Sequence, residues 1–241
     1  MLEINEEHLR KFEEIKLKFF SKTKVPADNN WESNTNDKIW SKLITQVMVV
    51  GNSKPADEFN KDIELKNQVT YEKLILMEDD ELKKKINYVL RKVHTRYASS
   101  DITKCRKTNA LVYNLKILKT FKDGPKDLLR GISEIKEQNA DKEKIRFLIN
   151  NFKYMGSKSS RDLLMELGIV KNAIALDVRV QSILTKVGIN IPKGVENNPK
   201  IYDEVENDIL TKICKPLNLL GVEFDRMIYQ NYEGIMSTRF D

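Results

Sequence analysis

Lys158 and Asp177 are the two residues of this sequence whose types and surroundings could do chemistry. Lys158 ends the stretch Phe152-Lys153-Tyr154-Met155-Gly156-Ser157-Lys158, which reads as a helix end, a tight turn at Gly156 and the start of a second short helix closed by Gly168. A lysine in such a turn serves as a solvated phosphate contact or, when burial and nearby cations lower its pKa, as an amine nucleophile. The free amides and positive dipole end of the second helix favour an anion, and Ser157, Ser159 and Ser160 add hydroxyls beside them. Asp177 follows the apolar run Ile174-Ala175-Leu176 and precedes an amphipathic run to about Val187. In that position it reads as a helix N-cap.

Other chemistries find little material. There are two cysteines, Cys105 and Cys214, far apart and without metal-ligand spacing, and only two histidines. A protein-built metal site or a histidine-based triad is therefore not expected, and carboxylates, lysines, hydroxyls or a bound cofactor must carry any catalysis. The net charge of +6 suits a polyanionic partner without demanding one. From Lys83 to Lys107 the imbalance is sharper: Lys83, Lys84, Lys85, Arg91, Lys92, Arg96, Lys104, Arg106 and Lys107 face a single acid, Asp101. Such a stretch is either a solvated face or a phosphate-contacting surface. No apolar run has the ~18 residues of a membrane span, and Met1–Glu7 is acidic where a secretory leader would be basic and then apolar. The expectation is an intracellular protein.

The elements that must position these residues are helices. Glycine and proline number only 9 and 6, and apolar residues recur at three- and four-residue intervals. Leu2, Leu9, Phe12, Ile15, Phe19 and Phe20 line a first helix, followed by a loop from Lys22 to Trp31. Asn36 is expected to cap a second helix, Asp37 to about Val50, stopped by Gly51-Asn52-Ser53. Further helices are expected over about 56–66, 70–77, 79–95, 105–121, 126–137, 141–150 and 158–167, then after Asp177, and near 201–215 and 222–232. No repeat or low-complexity linker divides the chain.

The hairpin and the aspartate segment together resemble the helix-hairpin-helix superfamily of DNA glycosylases, especially the 8-oxoguanine glycosylase/lyases of archaeal type. In that family a hairpin of the form apolar, variable, Gly, apolar, Gly, variable, Lys is followed 19 residues later by an apolar-Asp segment, the interval from Lys158 to Asp177. Val222–Tyr229 is similar to the family's C-terminal helix, and Ile44–Phe59 to the helix and turn inserted beside the target nucleotide, with Asn52 in the turn. The resemblance spans about residues 36–232. Tyr154 departs from it at the first hairpin glycine, Arg179 stands where a histidine commonly follows the aspartate, and the family branch's C-terminal lysine has no counterpart in Thr238-Arg239-Phe240-Asp241.

The resemblance implies an all-α fold of two helical subdomains, residues 36–168 ending in the hairpin and residues 1–35 with 169–241, with a DNA-binding cleft between them. It implies a bifunctional glycosylase and abasic-site lyase for an oxidised base, first 8-oxoguanine, acting as a monomer on double-stranded DNA without cofactor or metal. Lys158 would be the nucleophile and Asp177 the carboxylate that steadies the sugar cation. Gly156, Ser157, Ser159, Ser160, Asn52 and Arg179 would contact DNA, and Gln46 and Phe224 the base. A non-enzymatic DNA-binding protein that uses the hairpin for backbone contacts alone is the competing expectation.

Overall fold

The computed structural model describes residues 2–240; Met1 and Asp241, the chain ends named above, lie outside them. The described residues form α-helices, short 3-10 turns and one π-helical stretch, with no strand among them. In chain order the helices are α1 (Glu6–Phe19), α2 (Asn36–Met48), α3 (Lys54–Lys61), α4 (Ile63–Gln68), α5 (Tyr71–Leu74), α6 (Asp79–Lys92), α7 (Arg106–Leu118), α8 (Gly124–Ser133), α9 (Ala140–Asn151), α10 (Ser157–Glu166), α11 (Val178–Val187), α12 (Pro199–Ile209), α13 (Gly221–Gln230) and α14 (Tyr232–Ser237). None is long and apolar enough to cross a membrane.

The chain divides into two compact units, one of Asn29–Leu163 and one of Met1–Asp28 with Leu164–Asp241, the second division falling inside α10. In the first unit α2 is the hub. Its buried stripe, Ile39, Trp40, Leu43, Ile44 and Val47, packs against α3, α5, α7 and α8, and the Trp40 indole donates to the Val69 carbonyl, so the ring is buried without an orphaned N–H. Thr35, rather than Asn36, caps this helix by accepting from the Lys38 amide. Asn36 instead accepts from the Lys126 amide at the start of α8. Where one helix over 56–66 was expected, Asp62 accepts from the Leu65 amide and starts a new one, because an aspartate inside an apolar pattern competes for backbone donors.

In the second unit the core gathers Phe12 and Ile15 of α1, Ile183, Leu184 and Val187 of α11, Tyr202 and Val205 of α12, and Phe224, Met227 and Ile228 of α13. After α12 the helix continues as one π-helical stretch, Leu210–Cys214. Gly168 ends α10: at φ 69° it adopts the left-handed conformation, its amide donates to the Met165 carbonyl and that of Ile169 to Leu164. This is the glycine-dependent helix stop that the sequence suggests.

Candidate active site

The hairpin before Lys158 is built on α7. Phe152 and Met155, its two apolar positions, are buried. The fully buried Asn114 amide grips the chain between them, donating to the Lys153 carbonyl at 3.0 Å and accepting from the Lys153 amide at 2.8 Å. Tyr154 then turns the chain at φ 60°, the left-handed region, whereas Gly156 is not among the positive-φ glycines. The turn the sequence places at Gly156 is thus made at Tyr154, the position where the hairpin pattern has glycine. A non-glycine residue there costs roughly 1–2 kcal/mol.

Helix α10 starts at Ser157, so Lys158 lies in its first turn. Its Nζ donates to Asp162 Oδ2, four residues on, at 3.2 Å, and its side chain is one-third exposed. The same carboxylate oxygen accepts from the Gln46 amide of α2 at 2.9 Å. Gln46 is buried, and its own oxygen makes no hydrogen bond. Ser157 is half-buried, while Ser159 and Ser160 are buried and Ser160 donates to the Met155 carbonyl at 3.2 Å. The Ser160 hydroxyl is therefore spent on closing the hairpin and presents no surface to a phosphate.

Asn52 is exposed in the turn between α2 and α3, its side chain accepting from the Lys54 amide. Lys107 holds that turn from below: fully buried, its ammonium donates to the carbonyls of Met48 and Val50 at 3.0 and 2.9 Å and closes the end of α2. Burial pushes its pKa down to about 8.

In the other unit, Asp177 caps α11, one carboxylate oxygen accepting from the Arg179 and Val180 amides at 2.9 and 3.0 Å. The extended segment leading to it has no sheet partner, so its buried polar groups need side chains. Glu206 accepts from the Ile174 amide, Asp225 from Ala175, and Tyr202 from Leu176 while its hydroxyl donates to the Ile174 carbonyl. Gly221 lets α13 approach this segment: a Cβ there would sit 2.6 Å from the Ala173 carbonyl oxygen.

Beside Asp177, the Arg179 guanidinium comes within 3.8 Å of its second oxygen and lies over the exposed Tyr229 ring at 4.4 Å. Phe19, Arg179, Tyr229, Gln230 and Tyr232 line a surface depression of about 410 Å³. Phe224, expected at the base, is instead fully buried with its ring centroid 5.5 Å from Phe12. The reason is helical phase: Phe224 and Ile228 share the inward face of α13, and Tyr229 is the next residue outward.

The backbone architecture is similar to three solved structures. Over 94% of this chain and 97% of that one, it matches Methanocaldococcus jannaschii 8-oxoguanine glycosylase/lyase in complex with a 15mer DNA containing 8-oxoguanine, with a TM-score of 0.64 and 18% identity. The Methanocaldococcus jannaschii 8-oxoguanine DNA glycosylase matches at 0.64 and 20% identity over 94% of each chain. That of Thermotoga maritima matches at 0.59 and 22%, over 95% of this chain and 92% of that one. This chain has the 8-oxoguanine DNA glycosylase fold. No protein-family model and no curated protein sequence matches it.

Within this glycosylase fold, spacing alone could have revealed Asp162, since a carboxylate four residues after Lys158 faces it on a helix. Asn114, Lys107, Tyr202, Glu206 and Asp225 had no such signal: each acts on backbone distant in sequence.

Proposed function

We propose that this protein is a DNA glycosylase that removes an oxidised base, 8-oxoguanine first, and cleaves the abasic strand through a Schiff base on Lys158. What supports this reading is a lysine, Lys158, in the first turn of the hairpin helix and, 19 residues later in the sequence, an aspartate, Asp177, capping α11, in a chain that has the fold of solved 8-oxoguanine glycosylases. Duplex DNA is the partner, and extruding the target nucleotide costs a few kcal/mol.

In this reading the hairpin, with Gly156 and Ser157 at its surface, takes a phosphate, and Asn52 enters the duplex from its turn. The depression at Tyr229 receives the base by stacking, a use of exposed aromatic surface that Phe224 cannot serve. Lys158 must give up a proton before attack, and Asp162 is the hydrogen-bonded neighbour of its ammonium. The amine then bonds to the sugar C1′ as the bond to the base breaks, and the departing base gains a proton. Opening of the sugar ring gives the imine, and loss of a C2′ proton expels the 3′ phosphate. Asp177, oriented by the two amides it caps, steadies the positive charge that develops on the sugar.

Borohydride trapping tests this. Wild-type protein on duplex DNA containing 8-oxoguanine or an abasic site should form a covalent complex that Lys158→Ala does not. DNA binding without trapping in the wild type would refute the lyase chemistry and leave a protein that only binds DNA.

A further inference from the structure

We propose that Gln46 is a positioning residue for the proton transfer that frees Lys158: its side-chain amide donates to Asp162 while that carboxylate is ionised, and turns over to accept from it once Asp162 has taken the lysine's proton. This rests on the functional reading above and concerns how its nucleophile is made available.

Three side chains of one unit meet at a single oxygen. Asp162 Oδ2 accepts from Lys158 Nζ along α10 at 3.2 Å and from Gln46 Nε2 on α2 at 2.9 Å. Chemistry fixes the orientation of the glutamine, since an ionised carboxylate only accepts and must meet the NH2 end of the amide. The other end is left over. Oε1 is buried and makes no hydrogen bond, in a stretch of α2 whose Leu43, Ile44, Val47 and Met48 are all buried. An apolar side chain here would bury no unpaired acceptor, so the amide is a cost to the fold unless its oxygen serves in another state.

The reaction supplies that state. An ammonium has no lone pair, so Lys158 must pass a proton on before it bonds to C1′. Moving that proton from Nζ to Asp162 Oδ2 turns the ammonium into an amine and the carboxylate into a neutral acid, with no change in total charge. The new O–H can point two ways. Directed back at Nζ, it occupies the lone pair that must attack; directed at an acceptor on the far side, it leaves the amine free. A half-turn of the Gln46 amide puts Oε1 where Nε2 stands and makes the unpaired acceptor the partner of that O–H. Exposure falls along the three side chains, from 32% at Lys158 through 19% at Asp162 to 4% at Gln46, so water reaches the amine but not the acceptor behind it. The other charged residues within one helical turn of the three along α2 and α10 are Lys42, Arg161 and Glu166, and Arg161 donates to the Ser157 carbonyl at 3.0 Å.

The test is the single-turnover rate of Schiff-base formation on duplex DNA carrying an abasic site, trapped with cyanoborohydride across a range of pH, with each variant expressed as a ratio to the wild type. Lys42, Arg161 and Glu166 are common to every protein compared. Gln46→Met neither donates nor accepts, and Asp162→Asn removes the proton acceptor. Near neutral pH the first should be about tenfold slower than wild type and the second about a hundredfold slower. Both ratios should climb toward one as pH approaches about 10, because an amine that cannot pass its proton inward loses it to water instead. If Gln46 only keeps Asp162 ionised, its loss makes the carboxylate a better base and Gln46→Met trapping no slower. A neutral-pH ratio at or above one for Gln46→Met therefore overturns the proposal, and so does a lowered ratio that stays constant with pH, the mark of a merely structural fault. Asp162→Asn leaves the α2 core intact and decides by itself in the same way: a ratio at or above one, or one constant with pH, overturns the proton transfer and the part of Gln46 in it. A wild type that is not trapped at all overturns the functional reading as well.

Discussion

Replacing Lys107 with methionine should remove a rise in stability between about pH 8 and pH 10. Lys107 has no exposed surface, and burial, assisted by Arg96 and opposed by Cys105, pushes its pKa down to about 8. An unfolded lysine titrates near ~10.4. Between those values the unfolded chain keeps a proton that the folded chain has released, so unfolding becomes harder as pH rises. At ~1.4 kcal/mol per unit, the full effect is about 3 kcal/mol, present above the unfolded value and lost as pH falls through about 8. The raw profile does not isolate it. Burial also pushes the Cys214 thiol up to about 12, and a raised thiol works the other way: its stability is complete below an unfolded pKa of about 8.5 and is lost as pH climbs.

The difference between wild type and Lys107→Met removes the Cys214 contribution, which both proteins share. Urea unfolding followed by tryptophan fluorescence suits the purpose, because Trp31 and Trp40 both lie in the unit that holds Lys107, while Cys214 lies in the other. At neutral pH the variant loses two charge-assisted hydrogen bonds, about 1.5–3 kcal/mol each, and is relieved of a buried ammonium worth about 3 kcal/mol. The two proteins should therefore lie within a few kcal/mol of each other there. Toward pH 10 the wild type should gain about 3 kcal/mol on the variant. Parallel profiles, with a constant difference across the range, would refute the claim that burial of this ammonium governs the end of α2.

Two further outcomes follow from the supports of the site. Asn114→Ala removes both hydrogen bonds to Lys153 and should cost roughly 1–3 kcal/mol in urea unfolding, with a slower borohydride trapping rate because the hairpin before Lys158 loses its anchor; an unchanged trapping rate would show that Asn114 does not position it. Tyr202→Phe takes the acceptor from the buried Leu176 amide and should slow single-turnover trapping while leaving DNA affinity at the wild-type value, and a change confined to affinity would contradict its role behind Asp177.

What the sequence made legible was local. Helix periodicity, the Gly168 stop, the N-cap at Asp177 and the hairpin around Lys158 all depend on contacts within a few residues. Errors arose where a second element chose the outcome. Apolar spacing assigns Phe224 to a helix but not to the inward face of α13, and a serine at a helix start reads the same whether its hydroxyl meets solvent or, as Ser160 does, a carbonyl of its own hairpin. The helix expected near 201–215 does cover Leu210–Cys214 but not its π-helical winding, and the six-residue α14 lies beyond the last helix expected from the pattern.

The supports of Asp177 mark that boundary most clearly. Ile174-Ala175-Leu176 reads as an apolar run, and its side chains are indeed buried. Burial of side chains takes the backbone with them, and an extended segment without a sheet leaves every amide in need of an acceptor. Hydrogen-bond accounting therefore requires buried polar side chains somewhere in the fold, although it does not say where. The structure supplies them from 26 to 50 residues away, as Tyr202, Glu206 and Asp225. Each stands in a helix otherwise patterned for the core, so each looks in the sequence like a surface residue or a blemish in an apolar stripe. Polar residues at core phase following an unpaired apolar run are the sign that an extended segment, here the one leading to Asp177, is being held from behind.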